Sequence, residues 1–295
     1  MRLIIRVLRA LVVLLVVAFA CLVIFVFIGS ERRLNAKYDM TVKAVAARTD
    51  SASIARGAYL FQTITCSLCH GEDAGGAIME QDRLIGTMAG PNLTSGSAAQ
   101  RSDIDYVRAI RRGVRHNGTS LIVMPSEVFT HLAESDLASI LGYLRQLPPV
   151  DREVPVSGFG PMGRALLAAG KMNILVAPKT PSYEAPADPP PIGTIEYGHY
   201  LADVAGCHGC HGYGLSGGRV AGPPGLPPAS NLTPTGIGQW TEADFIRAMR
   251  EGKRPDGSTL DVFMPWTVFG KMTDADLQAL WLYLRSVPAK EFGNK

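Results

Sequence analysis

The strongest constraint on the fold of this chain is an internal repeat of about 90 residues, whose two copies are offset by 139 to 141 positions. Residues 56–60 match residues 197–201, residues 102–113 match 241–252, and residues 137–147 match 277–287. A repeat of this length indicates two copies of one small domain. The chain has 295 residues, so two such copies leave room for flanking and connecting segments.

Each copy contains the pattern Cys-x-x-Cys-His, first at Cys66–His70 and again at Cys207–His211. This is the attachment pattern of a c-type haem, because two thiols at this spacing can each form a thioether to one haem vinyl group. The histidine that follows the second cysteine then binds the iron. A zinc site would need further ligands, and neither copy has another cysteine; a redox dithiol does not need the adjacent histidine. The sequence therefore predicts two haem c groups, with thioethers at Cys66, Cys69, Cys207 and Cys210 and proximal ligands His70 and His211.

A second axial ligand decides whether such a haem is a closed electron-transfer site or an open catalytic one. The candidate thioethers are Met79, Met88 and Met124 in copy one and Met249, Met264 and Met272 in copy two. Only Met124 and Met264 occupy the same place in both copies, and each is followed by proline. We therefore predict that they are the sixth ligands and that Met88, Met249 and Met272 fill the core. Three histidines could also be sixth ligands, but none has a histidine at the matching position of the other copy. They are His116, His131 and His199.

Within each copy the apolar residues follow a helical period. Leu137, Ile140, Leu141 and Leu144 fall at i, i+3, i+4 and i+7, and the matching helix of copy two has the same pattern. These helices are expected to end before Pro148 and Pro288. Capping boxes are predicted at Ser102 with Asp105 and at Thr241 with Asp244. The loops between motif and middle helix are rich in glycine and proline, which favours packing around a flat cofactor over a sheet. The predicted fold class is all-α.

With these motifs, each copy resembles a class I cytochrome c domain. In that family an N-terminal helix carrying a glycine crosses a C-terminal helix carrying an aromatic residue, which here implies Gly57 with Tyr143 and Gly198 with Tyr283. The family also implies that the carbonyl of Pro91 accepts a hydrogen bond from the proximal histidine, while copy two departs from the pattern with Ser230.

Copy two is similar to a narrower group. The segments Asn231–Pro234, Gly236–Thr241 and Met264–Trp266 are similar to the multi-haem cytochrome subunits of membrane alcohol and gluconate dehydrogenases. Those subunits usually carry three haem domains, whereas this chain has two. The resemblance implies a role as an electron-transfer subunit.

The N-terminal segment is predicted to be a membrane anchor. Ala10–Gly29 is a run of 20 residues without a charge, long enough to span a bilayer as a helix. Two alternatives are a signal peptide cleaved after Ala18–Ala20 and a lipoprotein-type site at Cys21. The apolar run continues from Leu22 to Ile28, past both sites, which favours an uncleaved anchor.

The orientation of this anchor follows from two arguments. Arg2, Arg6 and Arg9 precede it and favour a cytoplasmic N-terminus. In bacteria, c-type haems are attached outside the cytoplasmic membrane, so the resemblance implies that the chain from Ser30 onward is periplasmic. The predicted location is the bacterial inner membrane, with the haem domains in the periplasm.

The chain is predicted to have five parts, namely a transmembrane anchor (1–29), a stalk (30–53), a first haem domain (54–149), a Pro-rich linker (150–195) and a second haem domain (196–290). Within the linker, the apolar residues between Ala165 and Val176 predict a short helix or turn that packs against the haem domains or the membrane surface. Net charge is +3, but residues 57–150 carry seven arginines against nine acidic residues. No basic stripe marks a haem domain, so we expect no nucleic-acid partner.

The predicted function is electron transfer by two haems with His/Met ligation. The expected partners are the membrane, a dehydrogenase or quinol-oxidising complex as donor, and a soluble cytochrome or terminal oxidase as acceptor. One alternative is a di-haem peroxidase, which would need one haem that can open to peroxide. Another is an electron-transfer subunit of a dehydrogenase or oxidase complex. No nucleophile–base arrangement or phosphate loop is present, so we expect a carrier and not an enzyme.

Overall fold

The chain begins with a 33-residue helix, α1 (Arg2–Leu34), in the computed structural model, which describes residues 1–96, 101–220 and 225–293. At a rise of 1.5 Å per residue α1 is roughly 50 Å long, more than the ~30 Å of a bilayer core. It is the one helix among the described residues that is long and apolar enough to cross a membrane. Its apolar side chains from Leu3 to Phe25 are exposed on the protein.

The two copies of the repeat are helical, as predicted. The helices of copy one are α2 (Ser51–Thr63), α3 (Cys66–His70), α4 (Asp103–Arg112), α5 (Ser126–Phe129) and α6 (Glu134–Gln146). The linker forms α7 (Pro161–Ala168) and a 3₁₀ turn (Ala177–Lys179). The helices of copy two are α8 (Ile195–Val204), α9 (Cys207–His211), α10 (Pro234–Ile237), α11 (Glu242–Glu251), α12 (Trp266–Phe269) and α13 (Asp274–Ser286).

The ends of these helices follow the local sequence. Both predicted capping boxes are present, at Ser102 with Asp105 before α4 and at Thr241 with Asp244 before α11. Each box satisfies two backbone N–H groups that the first turn of a helix would otherwise leave without partners. Helices α6 and α13 each end two residues before a proline, Pro148 and Pro288, because proline cannot continue the helix.

The first and last helices of each copy cross at a glycine. A Cβ added to Gly57 of α2 would lie 2.0 Å from the carbonyl oxygen of Ser139 on α6. At Gly198 of α8 it would lie 2.0 Å from the carbonyl oxygen of Ala279 and 2.8 Å from the Cβ of Tyr283. Only a residue without a side chain allows the two backbones to come this close. The predicted helix crossing is therefore confirmed.

Copy one also contains a small sheet that the sequence did not predict. Strands β1 (Ala77–Asp82) and β2 (Gly86–Gly90) form an antiparallel hairpin, and β3 (Gly158–Phe159) from the linker pairs with β2. In copy two the described part of the same loop has only a bridge between Gly218 and Ala229. Pro227 and Pro228 adjoin that bridge, and proline has no N–H group with which to extend a ladder.

The segments outside the repeats lie against copy one. Residues 36–49 are largely extended along it, where Tyr38 N donates to Gly118 O at 3.0 Å and Arg48 N to Ala138 O at 3.1 Å. The linker contains a short helix, α7, which overlaps the predicted segment only at residues 165–168 and packs on the end of α1. There Arg164 forms a 2.7 Å ion pair with Glu31. The linker is thus a packed element and not a free spacer.

The two copies face each other across a reciprocal pair of hydrogen bonds. Tyr200 of copy two donates to Asp136 of copy one at 2.7 Å, and Tyr59 of copy one donates to Asp276 of copy two. The two tyrosines are equivalent in the repeat, and so are the two aspartates. Each tyrosine hydroxyl also accepts a backbone N–H from the opposite copy. The copies are therefore related by an approximate two-fold axis, and one core cluster of buried residues extends through both.

Candidate haem-binding sites

Each Cys-x-x-Cys-His motif forms a helix of five residues, α3 and α9, that begins after a residue with left-handed backbone. That residue is Thr65 in copy one, with a φ of 73°, and Gly206 in copy two, with a φ of 76°. The sharp turn separates the motif from the preceding helix. Within the motif the two cysteines are three positions apart, and this spacing puts them on one side of a helix.

The cysteines of both motifs are partly buried, and burial raises the pKa of three of them. The pKa of Cys66 rises to about 12, and the pKa of Cys69 is also raised by burial. For Cys207, burial and then the negative charge of Asp203 raise the pKa to about 12. Redox dithiols rely on a lowered pKa, because the thiolate is the reactive form. The environment of these cysteines therefore argues against the dithiol alternative.

The proximal histidines are held the same way in both copies. Nδ1 of His70 lies 2.9 Å from the carbonyl oxygen of Pro91, and Nδ1 of His211 lies 2.7 Å from that of Ser230. A carbonyl oxygen only accepts, so each Nδ1 carries the proton and each Nε2 keeps a lone pair for a metal. Burial lowers the pKa of His70, which favours the neutral ring that a metal ligand requires. Ser230 thus replaces proline without changing the contact.

A cavity of about 1180 Å³ opens beside the motif of copy one. It is lined by Cys66, Cys69, His70 and Met124, so the structure brings the predicted ligands of the first haem to one space. Its apolar wall comes from core residues that include Phe61, Leu93, Ile110, Leu132 and Leu144. The cavity exceeds the ~300–1,000 Å³ of ordinary small-molecule pockets. A large apolar cofactor that is bound at one edge by two thioethers fits these residues.

Two methionines line this cavity, Met124 and Met79. Met79 lies on β1 with 38% of its surface exposed, whereas Met124 is partly buried against the core. The turn at Met124 recurs in copy two: Ser126 N donates to Met124 O at 2.9 Å, and Trp266 N donates to Met264 O at 2.7 Å. Met249 and Met272 are buried in the core, as predicted for filler residues.

Cationic side chains at the cavity were missed in the sequence. Arg101 and Arg115 line the cavity of copy one, where they could pair with the carboxylates of a haem, and the rival-ligand candidate His116 lines it as well. Arg115 donates to the carbonyl of Ser120, and Arg254 of copy two donates to that of Thr259 at 2.9 Å. The alignment of the two copies already showed that Arg115 and Arg254 are equivalent, because each stands two positions after the glycine that ends the middle helix of its copy.

The two sites meet at the interface between the copies. Helix α5 begins two residues after Met124, and its Val128 side chain lies about 3.4 Å from the position of a Cβ at Gly206, next to Cys207. A 2.6 Å ion pair joins Lys271 of copy two to Glu72, which follows the motif of copy one. The interface therefore places α5, the helix that follows Met124 in copy one, next to the haem-attachment motif of copy two.

Comparison with known proteins gives a family for both copies. The family model described as cytochrome c matches residues 54–148 and 195–288. The fructose dehydrogenase cytochrome subunit of Gluconobacter japonicus is 34% identical over 134 residues, which is 41% of this chain and 28% of that protein. The cytochrome c subunit of a quinone alcohol dehydrogenase from Gluconobacter oxydans is 26% identical over 83% of this chain and 57% of its own length.

A protein named diheme cytochrome c-type from Cereibacter sphaeroides is 28% identical, and the match covers 80% of this chain and 86% of that protein. The chain thus spans only part of the dehydrogenase cytochrome subunits it resembles, but most of the di-haem relative.

Proposed function

The chain belongs to the cytochrome c family, and from that premise we propose that it transfers electrons through two covalently bound haems c. In the first site Cys66 and Cys69 form the thioethers, and His70 and Met124 are the axial ligands. In the second site Cys207 and Cys210 form the thioethers, and His211 and Met264 are the axial ligands.

A haem supplies the reversible one-electron chemistry of its iron, and the residues around it set the potential. The carbonyls of Pro91 and Ser230 fix the ring orientation of the proximal histidines and make Nε2 a stronger donor. The methionine thioethers are soft ligands that favour the reduced state and close the sixth position to peroxide. Buried apolar walls exclude water and also favour the less charged, reduced form.

The observation that carries this proposal is the paired histidine geometry. Both motifs hold Nδ1 within 2.9 Å of a backbone carbonyl, although the residue that provides the carbonyl differs between the copies. A contact that survives this change of side chain supports selection for the orientation of the ring. It supports two metal-binding histidines and therefore two haems.

The N-terminal helix supports a location on the membrane. We place α1 across the cytoplasmic membrane of a bacterium, with its N-terminus in the cytoplasm and both haem domains in the periplasm. The packing of α7 against the end of α1 keeps copy one close to the membrane surface. An electron carrier held there can meet a membrane-bound donor without free diffusion.

The names of the relatives support a dehydrogenase as the donor. Cytochrome subunits of fructose and quinone alcohol dehydrogenases match this chain, each over part of its own length. We place the chain as the electron-transfer subunit between such a dehydrogenase, or a quinol-oxidising complex, and a soluble cytochrome or terminal oxidase. Purification from native membranes with identification of the co-eluting proteins tests the partner assignment.

The ligands are tested by spectroscopy of the detergent-solubilised protein. Mass spectrometry should find two haems per chain, and the oxidised protein should show the weak charge-transfer band of iron–methionine ligation. Met124→Ala and Met264→Ala should each remove about half of that band and lower one potential by on the order of 0.1 V.

The matched controls are Met79→Leu, which alters the other methionine at the cavity, and Met272→Leu, which alters a buried core methionine. Both should leave the band and the potentials unchanged. A high-spin haem in the resting protein, or a normal band in Met124→Ala, would overturn the ligand assignment.

A further inference from the structure

Three metal-ligating side chains that the haem sites do not use converge on copy two. His199 and Asp203 lie one turn apart on α8, and His208 is the second residue of the α9 motif. Nε2 of His199 lies 3.5 Å from Asp203 Oδ2, and Nε2 of His208 lies 3.2 Å from Asp203 Oδ1. The three ligand atoms lie within 4.8 Å of one another, and no other group of this kind was found among the described residues.

The ring of His208 is oriented as a ligand would be. Its Nδ1 is 3.4 Å from the carbonyl oxygen of Gly212, which places the proton on Nδ1 and the lone pair on Nε2. Nε2 is buried and faces Asp203 Oδ1 at 3.2 Å without an aligned hydrogen bond to it. A buried lone pair that faces a carboxylate is unfavourable, and a cation between the two would satisfy both groups.

The spacing suits a small transition-metal ion. A tetrahedral ion with bonds of about 2.0–2.1 Å holds its ligand atoms roughly 3.3 Å apart. Each imidazole already has this spacing to one carboxylate oxygen of Asp203, His208 to Oδ1 at 3.2 Å and His199 to Oδ2 at 3.5 Å, so an ion between the rings would contact both oxygens. The two imidazoles must also approach each other, and the side chain of His199, which is 55% exposed, has solvent on one side to allow this. Its ring lies against Tyr283 at 4.8 Å between centroids, which limits its range of orientations.

The cluster belongs to one copy of the repeat. The positions in copy one that match His199, Asp203 and His208 are Ala58, Gln62 and Ser67, which offer no imidazole or carboxylate. The cytochrome fold therefore does not need these three residues. Copy one therefore serves as an internal control, because its equivalent helices lack these three metal-ligating side chains.

From this convergence we infer that His199, Asp203 and His208 bind one divalent transition-metal ion, zinc or copper(II), on the surface of copy two. Two imidazoles and a carboxylate are ligands that both ions accept. The exposed side of the site leaves a position for water. This site is separate from the haem iron and goes beyond electron transfer by the haems.

A cation here would act on the second haem. Asp203 Oδ1 lies 3.2 Å from Nε2 of His208, which is the residue next to Cys207 in the chain. Cys207 is the proposed attachment point of that haem. A divalent ion bound to Asp203 would reverse the local charge from negative to positive. The reduced haem would then be favoured, and its potential would rise.

Calorimetric titration of the oxidised, tag-free holoprotein with Zn²⁺ tests the site. We expect one ion per chain, with affinity at least tenfold weaker in His199→Ala and in Asp203→Asn. His131→Ala removes a histidine outside the cluster and should leave the affinity unchanged. His199 is half-exposed, so its variant should fold, and an unaltered haem spectrum would verify this. Failure of Zn²⁺ to bind stoichiometrically, or equal affinity in all variants, would overturn the inference.

Copper(II) identifies the ligands directly. Electron paramagnetic resonance of the Cu²⁺-loaded, oxidised protein should show coupling to two imidazoles, and His199→Ala should reduce this to one. Coupling that His199→Ala does not change would contradict the assignment. Redox titration gives an independent readout: Zn²⁺ should raise one of two potentials, and Asp203→Asn should abolish that response.

Discussion

Removal of a tyrosine hydroxyl at the interface between the copies should have unequal effects on the two sides of the approximate two-fold axis. Tyr59 and Tyr200 make equivalent bonds to Asp276 and Asp136, and both aspartates are 3% exposed. Asp136 is also bound by the guanidinium of Arg56 through two bonds of 2.9 Å. The residue of copy two that corresponds to Arg56 is Tyr197, so Asp276 has no cation at this position.

The difference can be estimated from these partners. A hydrogen bond to a charged group contributes about 1.5–3 kcal/mol, and an unsatisfied buried group costs about 1–3 kcal/mol more. Tyr200→Phe leaves Asp136 paired with Arg56, so it should cost about 1.5 kcal/mol. Tyr59→Phe leaves Asp276 with the neutral hydroxyl of Tyr197 and no cation, and should cost about 3 kcal/mol. The lost backbone contacts, from Ala133 to Tyr200 and from Thr273 to Tyr59, are equivalent and cancel in the comparison.

Guanidinium unfolding of the detergent-solubilised protein, followed by haem absorbance and circular dichroism, measures the two free energies. Arg56→Gln provides the matched control, because in that background the cost of Tyr200→Phe should rise toward that of Tyr59→Phe. Equal costs for the two single variants, or a larger cost for Tyr200→Phe, would refute the argument that Arg56 compensates Asp136.

Two further predictions concern backbone contacts. Gly57→Ala should destabilise the protein by about 2 kcal/mol or more, because its Cβ would lie 2.0 Å from the carbonyl oxygen of Ser139; thermal unfolding measures this, and an unchanged midpoint would count against the helix crossing. Ser230→Ala should leave the potential of the second haem unchanged, since the carbonyl and not the side chain accepts from His211 Nδ1; a shift in redox titration would assign the role to the hydroxyl instead.

Much of the fold was predictable because its signals are local. The capping boxes at Ser102 and Thr241 and the helix ends before Pro148 and Pro288 depend on residues a few positions apart. The hairpin of copy one was not predictable in this way. Its third strand, β3, comes from the linker about 70 residues after the hairpin, and no local pattern indicates that pairing.

The candidate haem sites likewise contain residues that the sequence identified and residues whose position only the structure gave. The repeat register selected Met124 and Met264 from six methionines, a prediction that the proposed variants test. The register also contained Arg115 and Arg254, but their meaning became apparent only when the cavity of copy one brought Arg115 beside the motif. The sequence around a charged residue does not show which distant group its side chain will face in the folded protein.

The sequence by itself determined the repeated helical domain, the two Cys-x-x-Cys-His motifs and the apolar N-terminal helix, because each is a pattern of neighbouring residues. Only the tertiary structure decided which surfaces of the copies meet, that Tyr59 and Tyr200 reach the opposite aspartates, and that His208 lies beside Asp203. Those contacts join separate helices. They depend on how complementary surfaces pack, and the spacing of residues along one helix does not contain that information.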